Sequence, residues 1–407
     1  MKYINLAALS IFVITLASCF PKTQPVAATD HPQPVENMNT TEPLNHTITT
    51  DIDTGNQPNP VENTNEPFKY TITTDIDTKN ENVEILVAIN DVNGQYPVKY
   101  DLDCDSDGEY EYTGLTENQK CIYNKNSGTH QISVRGDIPG MFLCQRYPDV
   151  NCYESNAPSS KLPQVHDDSI DAVISVDSWG SVEWKSMSYF AAICWKLNKL
   201  PENSPNLTQV KDMSGMFLRA NTFNQPLENW DVSNVTDMSD MFKYAPSFNQ
   251  PLEKWNVSNV TNMRMMFASA SSFNQPLDSW DVSNVTDMNH MFWSANFNQP
   301  LEKWDVSNVT NMNGMFGGAS SFNQPLEKWD VSNVTDMHAM FARAKSFNQP
   351  LEKWDVSNVT DMSSIFSGAS SFSHYPAHWI VPKDESEDMF EGTKVESLAK
   401  EKPLETR

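Results

Sequence analysis

Residues 223–247 read Phe223-Asn-Gln-Pro-Leu-Glu-Asn-Trp230-Asp-Val-Ser-Asn-Val-Thr-Asp-Met238-Ser-Asp-Met-Phe-Lys-Tyr-Ala-Pro-Ser247, and the phrase starts again at Phe248. Phenylalanine restarts it at 273, 297, 322, 347 and 372, and tryptophan recurs at 230, 255, 280, 304, 329, 354 and 379. The spacing is 25 residues with a single 24, the missing residue falling between Ala295 and Phe297, in a connection that tolerates deletion. Such a period is the signature of a solenoid: no copy buries its own apolar face, and stacking supplies the core.

Within one copy the apolar spacing changes. Leu227, Trp230 and Val232 stand in the Leu-x-x-Leu-x-Leu relation of a leucine-rich-repeat strand, which predicts a strand with its Trp in the core. Val235, Met238, Met241, Phe242 and Ala245 follow at helical spacing, after Ser233 or Thr236 as N-cap. The expectation is an α/β solenoid, leucine-rich-repeat-like, with one short strand and one short helix per turn. It occupies 223–391, behind an N-terminal cap at 165–222 and before a tail at 392–407. Residues beside the inward Trp face out, giving a concave ladder of Asp231, Asn256, Asp281, Asp305, Asp330 and Asp355 next to Asn229, Lys254, Ser279, Lys303, Lys328 and Lys353. That ladder is the candidate binding face. The plainer reading is that its lysines and aspartates pair between turns, which is worth little for exposed groups.

The Trp-Asp-Val-Ser-Asn-Val-Thr-x-Met-x-x-Met-Phe phrase closely resembles the repeat of BspA-like leucine-rich-repeat surface lipoproteins of bacteria. The resemblance spans about Asp171 to Glu391 and includes Ile174, Trp179-Gly and Trp184-Lys-Ser-Met187, which look like that family's entry segment. It implies surface display and binding to host or neighbouring-cell components, and implies no catalysis. The six copies that start from Phe223 to Phe347 each carry an Asn-Val-Thr sequon, from Asn234 to Asn358. A secreted glycoprotein would explain these. So would a repeat whose Asn and Thr cap helices.

The N-terminus decides between those settings. Lys2, the apolar run Ile4 to Leu16 and the small residues before Cys19 form an export signal over 1–18, too short to span a bilayer. Leu16-Ala17-Ser18-Cys19 matches the bacterial lipobox, so Cys19 is the expected acylated N-terminus, held by chains that add about 0.8 kcal/mol per buried CH₂. Phe20, in place of a retaining Asp, favours the outer membrane or cell surface. Residues 19–67 are rich in Pro, Asn, Thr, Gln and Glu and read as a disordered tether, in which His46 to Thr54 is echoed at Tyr70 to Thr78.

From 68 to 148 short alternating runs, such as Val83 to Ile89 and Thr129 to Arg135, predict strands. Tyr100-Asp-Leu-Asp-Cys-Asp-Ser-Asp-Gly108 followed by Ser127-Gly-Thr-His-Gln-Ile-Ser-Val134 resembles a polycystic-kidney-disease (PKD) type immunoglobulin-like sandwich. Asp103, Asp105 and Asp107 ahead of Gly108 also begin a calcium loop, but Gly114 stands where an EF-hand needs its Glu. An Asx-rich β-turn is the competing reading, and Ca²⁺ is the one cofactor this sequence raises. With Cys19 lipidated five cysteines remain, in a disulfide-permissive compartment. The expected bridges are Cys104 to Cys121, around the acidic turn, and Cys144 to Cys152, closing a short loop, which leaves Cys194 buried and free.

Composition narrows the function. A net charge of -25 and a pI near 4.6 repel phosphate backbones, so nucleic acid is excluded as a partner. The eight histidines are scattered, and His290 and His338 fall at non-repeating positions, so no nucleophile-base or metal spacing emerges. The expectation is a non-enzymatic, lipid-anchored surface module that binds a host or bacterial surface protein or matrix component; the alternative is a structural spacer of the envelope.

Overall fold

The computed structural model describes residues 66–76, 81–92, 94–144, 171–383 and 388–407. Cys19, the lipobox, most of the expected tether and Cys152 lie outside them. In the first part the alternating runs do form strands: β1 (Phe68–Thr73), β2 (Asn82–Ile89), β3 (Lys99–Asp103), β4 (Tyr112–Leu115), β5 (Gln119–Asn124), β6 (Thr129–Asp137) and β7 (Met141–Phe142). An eighth, β8 (Val173–Ser178), comes from the stretch expected to cap the solenoid. Two antiparallel sheets result, ordered β4-β3-β6-β1-β8 and β5-β2-β7. Period two puts Phe68, Tyr70 and Ile72 of β1 inside, against Ile85 and Val87 of β2 and Ile132 and Val134 of β6.

β8 makes the junction. It pairs with β1 on one side, and on the other Ser175 bridges Lys199 in parallel, the first rung of the array. Further rungs join Asp212 to Asp237, Asn262, Asp287, Asn311, Asp336 and Asp361 in succession. Sandwich and array therefore share one hydrogen-bonded edge and one buried core, within the compact unit 59–407. A disulfide reinforces the joint, and here the structure corrects the expected pairing. Cys104–Cys121 forms as expected, but Cys144 bonds Cys194, 50 residues away, and not Cys152. Cys194 is neither free nor inert packing; the Leu143 N–H bond to the Phe190 carbonyl brings the two segments together.

The helix-per-turn solenoid is also corrected. Among the described residues the only α-helix is α1 (Glu396–Glu401), and the remaining strands are β9 (Ile380–Val381) and β10 (Glu405–Thr406). In the stretch predicted as a helix, the N–H groups of Met238, Asp240, Phe242 and Tyr244 donate to carbonyls of the next turn, at Asn262, Arg264, Met266 and Ala268. Those between them, Met241, Lys243 and Ala245, close i to i+3 turns on Met238, Asp240 and Phe242. Asp240 and Tyr244 take positive φ, the conformation that the third residue of a type II turn requires. Tandem β-turns thus replace the helix, because half of the backbone donors are committed to a neighbouring copy. Each copy is coil and turns stitched to the next by parallel bonds, and the strand expected at Leu227 to Val232 does not form either: the Trp230 N–H closes a turn on the Leu227 carbonyl, and the parallel bridges run through Asp237 and its counterparts instead.

The core is aromatic. Phe217, Phe242, Phe267, Phe292, Phe316, Phe341, Phe366 and Phe390 stack as one column with centroids 5.5 to 5.7 Å apart. Phe223 to Phe372 form a second column beside it, about 4 Å away within each turn. The once-per-turn tryptophans 230, 255, 280, 304, 329, 354 and 379 are all buried, and the indole N–H of Trp255, Trp280, Trp304, Trp329 and Trp354 donates to a Leu carbonyl one turn back. The expected tail is docked: β10 pairs in parallel with β9, and the Arg407 guanidinium donates to the carbonyls of Ile380, Val356 and Val359.

Candidate functional site

Most of the repeat is spent on holding the neighbouring turn. The sequon Asn donates its side-chain amide one turn back, Asn259 to Ser233, Asn284 to Ser258, Asn308 to Ser283, Asn333 to Ser307 and Asn358 to Ser332, at 2.7 to 2.8 Å. The sequon Thr does the same with its hydroxyl, Thr261 to Thr236 and onward to Thr360 on Thr335. Asn and Thr recur in order to build ladders between turns, not to cap helices. Asn224, Asn249, Asn274, Asn298, Asn323 and Asn348 form a third ladder, each side-chain oxygen accepting the backbone N–H one turn on.

The expected Asp/Lys face has local employment as well. The carboxylates of Asp231, Asp281, Asp305, Asp330 and Asp355 each accept the N–H of the Ser two residues on, closing an Asx turn. Hydrogen bonds from the Ser side chain and backbone hold Asp231, Asp281 and Asp355 below the usual carboxylate range. The lysines pair with a different partner, the acidic residue before the previous Trp: Lys254 with Glu228, Lys303 with Asp278, Lys328 with Glu302 and Lys353 with Glu327, at 2.6 to 3.2 Å. These pairs are exposed and add little stability.

One face is built differently. In Met-x-x-Met-Phe-x-x-Ala the four variable positions read Ser-Gly-Leu-Arg at 214, 215, 218 and 219, then Ser-Asp-Lys-Tyr, Arg-Met-Ala-Ser, Asn-His-Trp-Ser, Asn-Gly-Gly-Gly, His-Ala-Ala-Arg and Ser-Ser-Ser-Gly in the turns that follow. All three arginines of residues 171–383, Arg219, Arg264 and Arg343, lie here. The second and fourth of these positions have φ between 52 and 73° in every turn from Tyr189 to Gly368. Glycine would take that conformation freely, and does so at Gly215, Gly314, Gly318 and Gly368. Elsewhere Asp240, Tyr244, Met265, His290 and Arg343 hold it at about 1 kcal/mol each. Comparing the copies with one another, in place of reading one copy for periodicity, would have singled out this face from sequence.

Side chains on this face also pack. Lys243 and Asp240 form a buried pair at 2.7 Å, with Arg264 3.8 Å from the other carboxylate oxygen. His290 lies against Gly314, and burial, with Arg264, Lys243 and His338 nearby, lowers its pKa to about 4. The folded state thus binds a proton less readily than an unfolded chain, whose histidine titrates near 6.5. The stability this neutral ring contributes is complete above about pH 6.5 and lost as pH falls toward 4. Its upper limit is roughly 3 kcal/mol, reduced by the solvent that reaches the ring. Urea midpoints measured from pH 7 to pH 4 are expected to fall in the wild type and to fall less in His290→Gln.

Two chemical constellations can be read directly. Asp103 is buried, and its carboxylate accepts the N–H groups of Asp105, Ser106 and Gly108, which is the Asx-turn geometry. The structure groups Asp103 and Asp105 with Glu111, and Asp107 points elsewhere, capping the Glu109 N–H. Asp105 is raised above the usual range: the Asp107 N–H bond lowers it, and desolvation and the carboxylates of Asp107, Glu111 and Asp103 outweigh that bond. His338 meets Ser363 Oγ at 2.6 Å and Asp361 at 3.8 Å. Both contacts use Nδ1, whereas a nucleophile relay needs serine and carboxylate on opposite ring nitrogens.

Fold and surface together define a class, a turn-built solenoid of 25-residue units continuous with an all-β sandwich. The family described as Mycoplasma protein of unknown function, DUF285, matches at 185–301 and 293–400, more than half of the chain, and the protein belongs to that family. No curated protein and no solved structure matches.

Proposed function

We propose that this protein is a lipid-anchored, non-enzymatic interaction module of a bacterial cell surface, which binds a host or neighbouring-cell component through its repeat array. The observation that carries this reading is the contrast between faces. Turns that are nearly identical wherever they hold one another differ on one face, and keep side chains there in a conformation that favours glycine. A spacer needs only the uniform ladders. The similarity to BspA-like surface proteins and the lipobox at Cys19 support the location.

Two experiments test the reading. Cys19→Ser is expected to move the protein from the detergent phase into the medium or periplasm, and the intact mass of the wild type should show an acylated residue 19. An unmodified N-terminus at any other residue contradicts the anchor. The lipid-free Cys19→Ser chain, labelled and offered to host cells and to neighbouring bacteria, is expected to attach saturably; absence of attachment favours the envelope spacer.

A further inference from the structure

We propose that residues 42–54 are a second copy of β1, able to take its place between β6 and β8, so that the chain can enter the sandwich at either of two points. The two segments read Glu42-Pro-Leu-Asn-His-Thr-Ile-Thr-Thr-Asp-Ile-Asp-Thr54 and Glu66-Pro-Phe-Lys-Tyr-Thr-Ile-Thr-Thr-Asp-Ile-Asp-Thr78, and they differ at three positions of thirteen. The sequence just ahead of them is treated differently. Pro34-Val-Glu-Asn and Pro60-Val-Glu-Asn also recur, but Met38-Asn-Thr-Thr follows the first and Thr64-Asn the second. Length and identity changed there and held in the strand. A spacer needs solvation and reach, and nothing in that role asks for Thr and Ile at fixed intervals.

What held is what the slot between β6 and β8 reads. Thr71 Oγ1 donates to Asp177 at 2.5 Å, Ile72 is fully buried, and buried Thr74 donates both its N–H and its hydroxyl to the Gly128 carbonyl. The Glu66 carboxylate accepts the Ser178 hydroxyl, and Ile76, beyond the strand, is buried too. Glu42, Thr47, Ile48, Thr50 and Ile52 stand at the matching positions. The three changes keep the alternation, with Leu44 for buried Phe68, Asn45 for Lys69 and the His46 ring for buried Tyr70. They also set the order of preference. The Phe68 ring packs 5.4 to 6.4 Å from Trp184, Phe190 and Trp179, and a leucine there leaves part of that space empty. β1 is therefore the resident strand and the second copy its reserve. Exchange moves 24 residues into the loop before β2, and loop closure grows costly only slowly with length. With the chain anchored at Cys19, the same 24 residues leave the tether and shorten its extended reach by about 80 Å. The exchange does not depend on the anchor, whereas the change in reach does.

The test uses the lipid-free Cys19→Ser chain, read by hydrogen exchange at the β6 and β8 amides and by thermal melting. Ile72→Asp places a carboxylate in the core and expels β1. The β6 and β8 amides are nevertheless expected to stay protected, at a lowered melting temperature, because the reserve copy fills the slot. Ile48→Asp alone should change neither readout, and Ile72→Asp combined with Ile48→Asp should speed exchange at those amides tenfold or more over Ile72→Asp alone. Thr71 stands opposite Gln131 in β1, so Thr47→Cys and Gln131→Cys added to Ile72→Asp are expected to form a disulfide within one chain. Lost protection in Ile72→Asp alone, no further loss on adding Ile48→Asp, or a bridge from 47 to 131 found only between two chains overturns the proposal.

Discussion

Trp304→Ala is expected to destabilise the protein by about 3 to 5 kcal/mol. Trp304 is buried in the middle of the array, stacks on Trp329 and meets Phe292 at a tilt, both with centroids 6.4 Å away, and donates its indole N–H to the Leu277 carbonyl at 2.9 Å. Truncation opens a cavity and removes one of the two hydrogen bonds that carbonyl accepts, the other coming from the Trp280 N–H, and each turn of a solenoid is supported only by its neighbours. Trp293→Ala, eleven positions earlier and half-buried, should cost less than about 1 kcal/mol. Urea denaturation of the two variants side by side checks both values. Similar costs for the two would show that burial in this array does not govern its stability.

Removing the Cys144–Cys194 bridge is the second large effect. It closes a loop of 50 residues, for which the chain-entropy account gives about 4 kcal/mol. Because the bridge sits at the joint of sandwich and array, the double variant Cys144→Ser/Cys194→Ser should lower the melting temperature of the whole unit and not of one part. Cys152→Ser should be silent, and non-reducing peptide mapping should recover Cys104–Cys121 and Cys144–Cys194 from it. A Cys144–Cys152 peptide from the wild type would overturn the assignment.

Cys144 and Cys152 are neighbours along the chain, and closeness along the chain was the only distance available. Cys104 and Cys121 were paired rightly because β3 and β5 lie on either side of the acidic turn, so chain proximity and spatial proximity coincide. Cys194 reaches Cys144 only because β8 joins the sandwich sheet and carries the first turn of the array to it. No local pattern around Val173 to Ser178 announces that pairing.

The apolar spacing of the repeat fits a helix and a row of turns equally well. Met238, Met241, Phe242 and Ala245 point inward at i, i+3 and i+4 whether the chain is an α-helix or a row of β-turns closed every three residues. A signal against the helix was present in Gly317-Gly318, Asn313-Gly314 and Asn289-His290, poor helix formers at the centre of the predicted segments. The Asp/Lys ladder was placed on the surface correctly, but its partners were not. Lys303 does pair between turns, but with Asp278 and not with Asp281, the ladder carboxylate of the same preceding turn.

By itself the sequence determined what repetition and alternation can determine: a solenoid of 25-residue turns with tryptophan and phenylalanine inside, preceded by strands that bury every second side chain. Those follow from burial, a property of each residue's own pattern. The tertiary structure decided which backbone donors leave their own turn, which thiols meet, that sandwich and array are one body, and which face is left to vary. Each of these depends on partners a full turn or more away in the chain. Periodicity says that a residue faces inward or outward, and only stacking says what it meets there.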